Sequence, residues 1–189
     1  MELVLASRSP RREKLLVEAG YEVDVQPADV DERRLGHESP RAYVLRLARA
    51  KAVAVTFPRR VVIGADTVVL IDRLILGKPT DRSDAIRMLG LLAGRTHTVL
   101  TGVAVVCDGD VLDGVEETRV TFAPLEQQEI AWYVSTREPD DKAGAYGIQG
   151  IGSRVIECIE GAYTNVVGLP IALAHRFIQQ ISSPPMGTR

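Results

Sequence analysis

Short runs of consecutive apolar residues, rich in Val and Ile, alternate along the chain with stretches whose apolar positions recur every three or four residues. The first pattern suits buried strands and the second suits helices with one inward face, so together they predict an α/β or α+β fold. Leu3 to Ala6 reads as the opening strand, and Ser9-Pro10 supplies an N-cap and a first-turn proline for a helix to about Gly20. A second helix is expected from Ser39-Pro40 to about Phe57. Val61 to Ile71 follows as a strand interrupted only by Gly64, Asp66 and Thr67, with a short strand at Leu74 to Leu76. Asp81 can cap a third helix that carries Ala85, Met88, Leu89 and Leu92 on one face and stops at Gly94. Thr98 to Cys107 and Val111 to Phe122 read as two strands joined through Asp108-Gly109-Asp110, a hairpin signal. Helices are expected at Leu125 to about Val134 and at Gly168 to Ile181. Between them lie a glycine-rich segment, Lys142 to Gly152, and a strand-like run from Arg154 to Ile159. There is no internal repeat, and Ser182 to Arg189 reads as a frayed tail.

Composition narrows the class. The 189 residues, 46% hydrophobic and 25% charged, suit one domain, or two lobes sharing one core. With 23 Lys and Arg against 25 Asp and Glu the net charge is −2, so nothing draws the chain globally to nucleic acid or an anionic membrane. Any anion site has to be local. No apolar stretch approaches the roughly 18 residues of a membrane span, and the start lacks a signal-peptide run. Two cysteines, Cys107 and Cys158, and three scattered histidines form neither a disulfide framework nor a zinc pattern, which fits a soluble protein of the cytoplasm.

Several residues break the local pattern in ways that suggest chemistry. Ser7-Arg8-Ser9-Pro10-Arg11-Arg12 lies where a strand meets a helix N-terminus, whose amides and partial positive charge favour phosphate. Arg12 falls on the inward face with Leu15, Leu16 and Ala19; a capped helix with solvated arginines is the plainer alternative. Asp66 is a lone carboxylate in a strongly apolar strand and needs a cation, a metal or hydrogen bonds to compensate it. The alternative there is a strand-end aspartate bonding local backbone, with Gly64 marking a bulge or a close backbone approach. Lys51 sits within the apolar stripe of Val44, Leu47, Ala48 and Val55, so it either snorkels outward or reaches an acid or a phosphate. Arg46 and Arg49, on other faces, read as solvated. Lys78 in Gly77-Lys78-Pro79, after the short strand, either points into a cleft or, as it reads on its own, is an exposed turn lysine. Glu32, within Asp29 to Arg34, belongs to an acidic loop that is either solvated or able to hold a hard divalent cation. In the glycine-rich segment, Tyr146 and Gln149 could pack on and hydrogen-bond a planar base, or the segment could be a plain flexible loop. P-loop, dinucleotide-fingerprint, GxSxG and HExxH patterns are absent. Carboxylates with Arg and Lys remain, a set suited to metal-assisted attack on a phosphate.

In order, Leu5 to Arg12, Gly64-Ala65-Asp66-Thr67, Leu76-Gly77-Lys78-Pro79, Gly94 to Val99, Thr101-Gly102-Val103, Asp141 to Tyr146 and Asn165 to Pro170 closely resemble the Maf family of nucleoside triphosphate pyrophosphatases. The resemblance covers nearly the whole chain as one domain, residues 1–189. It implies an elongated, mixed, twisted sheet flanked by helices, with two lobes around a cleft, similar to inosine-triphosphatase-like enzymes. It also implies cleavage of the α–β phosphoanhydride, releasing a monophosphate and pyrophosphate, with divalent Mg or Mn. Asp66 matches the family's catalytic acid/base, and Arg11, Thr67 and Gln149 match positions tied to substrate choice. The Ala-Gly-Ala-Tyr loop with glutamine belongs to the branch associated with dTTP, UTP and modified pyrimidine nucleotides. The 7-methyl-GTP branch instead carries Glu for Gln. Arg8 replaces a residue that is often small in the family. On this reading Glu32 and Asp66 hold the metal, Lys51, Lys78 and Arg12 stabilise charge, and Ser7 and Ser9 bind phosphate. A homodimer is implied by the family's habit. The rivals are a nucleotide-binding regulator without turnover, since the family is linked to septum formation and cell division, and a purine-directed pyrophosphatase. No nucleic-acid or membrane partner is expected.

Overall fold

In the computed structural model, which describes residues 2–55 and 57–182, the apolar N-terminal run becomes strand β1 (Glu2–Leu5), with Leu3, Val4 and Leu5 completely buried. Then come α1 (Pro10–Glu18), β2 (Glu22–Val25), α2 (Pro40–Ala54), β3 (Val61–Ile71), β4 (Leu74–Leu76), α3 (Arg82–Leu92), β5 (Thr96–Cys107) and β6 (Asp110–Phe122). After them follow α4 (Gln127–Ser135), three 3₁₀ turns (Glu138–Asp141, Ala143–Ala145, Gly150–Val155), β7 (Ile156–Glu160), α5 (Tyr163–Val167) and α6 (Ile171–Ser182). Among the described residues, seven strands make one sheet in the order β2-β1-β3-β5-β6-β7, with β4 paired to β3. β1 runs parallel to β2 and β3, whereas β4 is antiparallel to β3 and β7 to β6, so the sheet is mixed and the fold is α/β, as expected.

Most predicted elements form, and the departures have local causes. β2 carries no legible signal, because Glu22-Val23-Asp24-Val25 is four residues long, half of them charged, and forms the outer strand of its side of the sheet. The last helix starts at Ile171 rather than Gly168, and the short α5 precedes it; Pro170 biases Leu169 away from helical backbone. α4 starts at Gln127, where Glu126 and Glu129 form a capping box. Arg154 and Val155 close a 3₁₀ turn instead of opening β7. The segment 183–189, read as a frayed tail, lies outside the described residues.

Two glycines in neighbouring strands seat α2. A Cβ on Gly64 of β3 would collide with the Ala48 carbonyl oxygen and stand 2.6 Å from the Ala52 nitrogen. One on Gly102 of β5 would stand 2.9 Å from the nitrogen of Leu45. The helix backbone therefore lies directly on the sheet, which settles Gly64 as a close approach.

The chain divides into two compact units. The first takes in the described residues of 1–66, 101–116 and 168–189, and the second takes in 67–100 and 117–167. Val4, Ala6, Ala48, Ala52, Val62, Ala104 and Val106 pack together in the first. The second is built around Val69, Met88, Leu89, Leu92, Phe122, Tyr133 and Tyr146. Among the described residues no helix is long and apolar enough to cross a membrane.

Candidate active site

In the first unit, β1 leads through Ala6 and Ser7 into α1. Ser9 occupies the N-cap position with extended backbone, yet its side chain makes no capping bond. Ser7 is the working hydroxyl: its Oγ accepts the Ser9 N–H at 3.2 Å and Arg12 Nη1 at 3.1 Å. Arg12 is buried beside Leu15 and Leu16, as its helical position predicts, and its Nε donates to the Gly168 carbonyl at 2.7 Å. Its guanidinium is thus fixed at the N-terminal turn of α1, whose dipole adds further positive potential.

The seating of α2 decides the next contact. Side chains two apart on a strand share a face, so Asp66 faces the helix that Gly64 admits. Lys51 of α2, only 8% exposed, places its Nζ 2.7 Å from Asp66 Oδ1 and 2.7 Å from Glu32 Oε1. Lys51 therefore reaches acids rather than snorkelling. Burial pushes the Asp66 carboxyl above its ordinary range, against the opposing pull of Lys51 and Arg12, while Glu32 adds to the rise. Burial also lowers the Arg12 guanidinium, which Asp66 partly offsets. A carboxylate held this way suits proton transfer, because burial raises its affinity for a proton.

The acidic loop serves only in part. Glu32 reaches Lys51, whereas Asp31 is taken by Arg33 at 2.6 Å. Among the described residues no three His, Cys, Asp or Glu side chains are grouped to hold a metal. Glu32 and Asp66 nonetheless converge on one cationic atom, so the place they share favours positive charge.

Three partners were not legible. Tyr43 of α2 donates to the Glu32 backbone carbonyl at 2.8 Å, and its hydroxyl is pushed up by burial and by Asp66 and Glu32. Its place two turns before Lys51 was the available signal. Arg46, read as solvated, instead grips Glu38 at 2.7 and 2.9 Å and the Arg33 carbonyl at 3.0 Å, fastening the same loop. Arg49 stays exposed, as read, while pairing with Asp113. These contacts join a helix to a loop or to another element, where patterning within one element is silent. Arg11 is half-buried next to Arg12.

Thr67, Lys78 and Gln149 belong to the second unit. Thr67 is half-buried in β3, Lys78 is exposed just after β4, and Gln149 is half-buried at the start of the Gly150–Val155 turn. Tyr146 departs from its expected role: it is core, 5% exposed, with its hydroxyl 2.7 Å from His97 Nε2 and its ring edge-on to Phe122 at 4.7 Å. An aromatic ring after Ala145 buries more area by closing this core than by waiting for a base.

The Maf-like protein family matches residues 2–181. The dTTP/UTP pyrophosphatase of Symbiobacterium thermophilum is 51% identical over 183 residues, covering 96% of this chain and 93% of that one. That of Anaeromyxobacter dehalogenans is 52% identical, covering 96% and 95%, and that of Vibrio cholerae 49% identical, covering 93% and 98%. Among solved structures, a HAM1 protein from Coxiella burnetii is similar at a TM-score of 0.46 and 17% identity, with 82% of this chain and 80% of that chain covered. The family match and the sequence relatives both run nearly end to end, and the chain belongs to the Maf-like protein family.

Proposed function

We propose that this protein hydrolyses dTTP and UTP, and modified pyrimidine nucleotides of the same form, to the monophosphate and pyrophosphate. The observation that carries the reading is the buried Asp66 carboxylate held by Lys51 beside Arg12 and Ser7. It supplies a proton acceptor with raised affinity next to fixed cations, the pairing that water attack on a phosphoanhydride requires. Relatives at about half identity named dTTP/UTP pyrophosphatase support the substrate class.

Asp66 orients and deprotonates the attacking water. Arg12 and Lys51 offset charge that grows on the transferring phosphorus and on the departing pyrophosphate. Ser7, Ser9 and the first turn of α1 bind phosphate oxygens. A divalent Mg or Mn ion carried in with the triphosphate would supply charge neutralisation; Glu32 and Asp66 are the carboxylates that would hold it, and one or two carboxylates with substrate phosphates are the usual Mg set. Lys78 as a charge-stabilising residue, and Arg11, Thr67 and Gln149 as readers of the base, are assigned through the family resemblance. The amide of Gln149 offers both a donor and an acceptor to a pyrimidine edge. We place the enzyme in the cytoplasm, consistent with free Cys107 and Cys158, and expect a homodimer without nucleic-acid partners.

The test is product analysis with dTTP, UTP, CTP, purine and modified triphosphates, with Mg or Mn, beside Asp66→Asn. Pyrophosphate from dTTP and UTP, lost in the variant, is the expected result. Orthophosphate would move the cleavage site, purine preference would undo the role of Gln149, and tight binding without product would favour a regulator.

A further inference from the structure

The loop that carries Gln149 is rich in residues that ought to leave it loose. Gly147, Gly150 and Gly152 fall within six positions, and glycine backbone loses the most freedom on ordering. Three of its amides are nevertheless tied to a helix and the turn after it, all inside the second unit. Tyr133 of α4, 3% exposed, accepts the Gly147 N–H at 3.2 Å and donates its own hydroxyl to Glu138 Oε1 at 2.8 Å. The Glu138 carboxylate accepts the Gly152 N–H on Oε1 at 2.8 Å and the Ile151 N–H on Oε2 at 2.9 Å. Although burial works the other way, these donors together with Lys142 keep the Glu138 carboxyl below its usual range, so it stays ionised and bonds as a charged acceptor.

The glycines are what let the loop wrap these two side chains. A Cβ on Gly150 would stand 2.8 Å from Glu138 Oε2, and one on Gly152 would stand 2.5 Å from Tyr133 Oη. The tied amides bracket Gln149, two residues before it and two and three after it. Arg137, in left-handed backbone at φ 63°, follows α4 and starts the turn that holds Glu138. Lys142 Nζ fastens that turn by donating to the Glu138 carbonyl at 2.5 Å.

We propose that Glu138 and Tyr133 are positioning residues for base selection, a clamp that holds the backbone on both sides of Gln149 so that its amide meets a pyrimidine in one orientation. This rests on Gln149 as the base reader. Selectivity from an amide depends on a fixed direction, since a mobile donor–acceptor pair can satisfy either a uracil or a cytosine edge; ordering the loop before substrate arrives also removes that cost from binding.

The experiment compares Glu138→Gln and Tyr133→Phe, both close in shape to the native side chains, with Gln149→Ala as reference. The readouts are kcat and KM for dTTP, UTP and CTP, and amide exchange at Gly147, Ile151 and Gly152. Both clamp variants should lower the preference for dTTP over CTP about tenfold, with the loss falling on KM more than kcat. Exchange at the three amides should quicken while that of α6 does not. Clamp variants that keep the wild-type preference while Gln149→Ala loses it would overturn the clamp alone. A uniform fall for every substrate with a lower melting temperature would reduce Glu138 and Tyr133 to structural roles and also overturn it. If Gln149→Ala itself kept the preference, the reading of Gln149 would fail and take the clamp with it.

Discussion

At the scale of single residues, Asp66 works against the fold that houses it. Its carboxyl is raised by burial, so its contribution to stability is complete below the ordinary carboxylate value of 3.8 and is lost as pH rises through the folded value. Asp66→Asn should lower turnover by about a hundredfold or more, and its melting temperature should rise relative to that of the wild type as pH is raised from about 4 to 7. Calorimetry beside the pyrophosphate assay checks both halves. Lys51 holds the Asp66 carboxyl down, so Lys51→Met should slow the reaction and move the acid limb of kcat/KM to higher pH, measured in the pH–rate profile. His97 titrates with the opposite sign. Burial lowers its imidazole from 6.5 to about 4, so its contribution is complete above 6.5 and is lost as pH falls through 4. Urea unfolding should lose about 3 kcal/mol from this group between pH 7 and pH 4, a loss that His97→Gln removes.

At the scale of elements, the important contact is helix on strand. Gly64→Ala would push a methyl group into the backbone of α2 and shift Lys51 from Asp66. Overpacking of this kind costs about 1–3 kcal/mol, which for a chain of this size is about 2–4 °C in melting temperature per kcal/mol. A fall in kcat of about tenfold should accompany it, since a misplacement near 1 Å weakens catalysis severely; thermal melting and turnover of the same sample measure both. Elements were legible where a helical period ran for at least two turns or where a long apolar run marked a buried strand, as in α2, α3, β3 and β5. They were not where the element was short and polar or where a proline and a tight turn intervened, as with β2 and α5, because few residues then carry the pattern.

At the scale of the whole molecule, each unit has its own apolar cluster, and neither cluster contains a metal-ligand group of three. Chelation by EDTA should accordingly stop hydrolysis while leaving the melting temperature within about 1 °C, because a metal that contributed to folding would shift it by mass action; adding Mg or Mn back should restore activity. A melting shift of many degrees would make the ion structural.

Which residues stand out as candidates for chemistry was determined locally. A carboxylate in an apolar strand, a lysine in an apolar stripe and an arginine on the inward face of a capped helix each violate the pattern around them, and burial makes such violations costly enough to be visible in one dimension. What those residues touch was decided by the tertiary structure: Lys51 bridging Asp66 and Glu32, Ser7 rather than Ser9 serving Arg12, Tyr146 joining the core, and Glu138 fastening amides more than ten residues away. Periodicity reports which way a side chain points within its own element. Pairing across the chain depends on which helix lands on which strand, and that follows from packing that no short stretch of sequence contains.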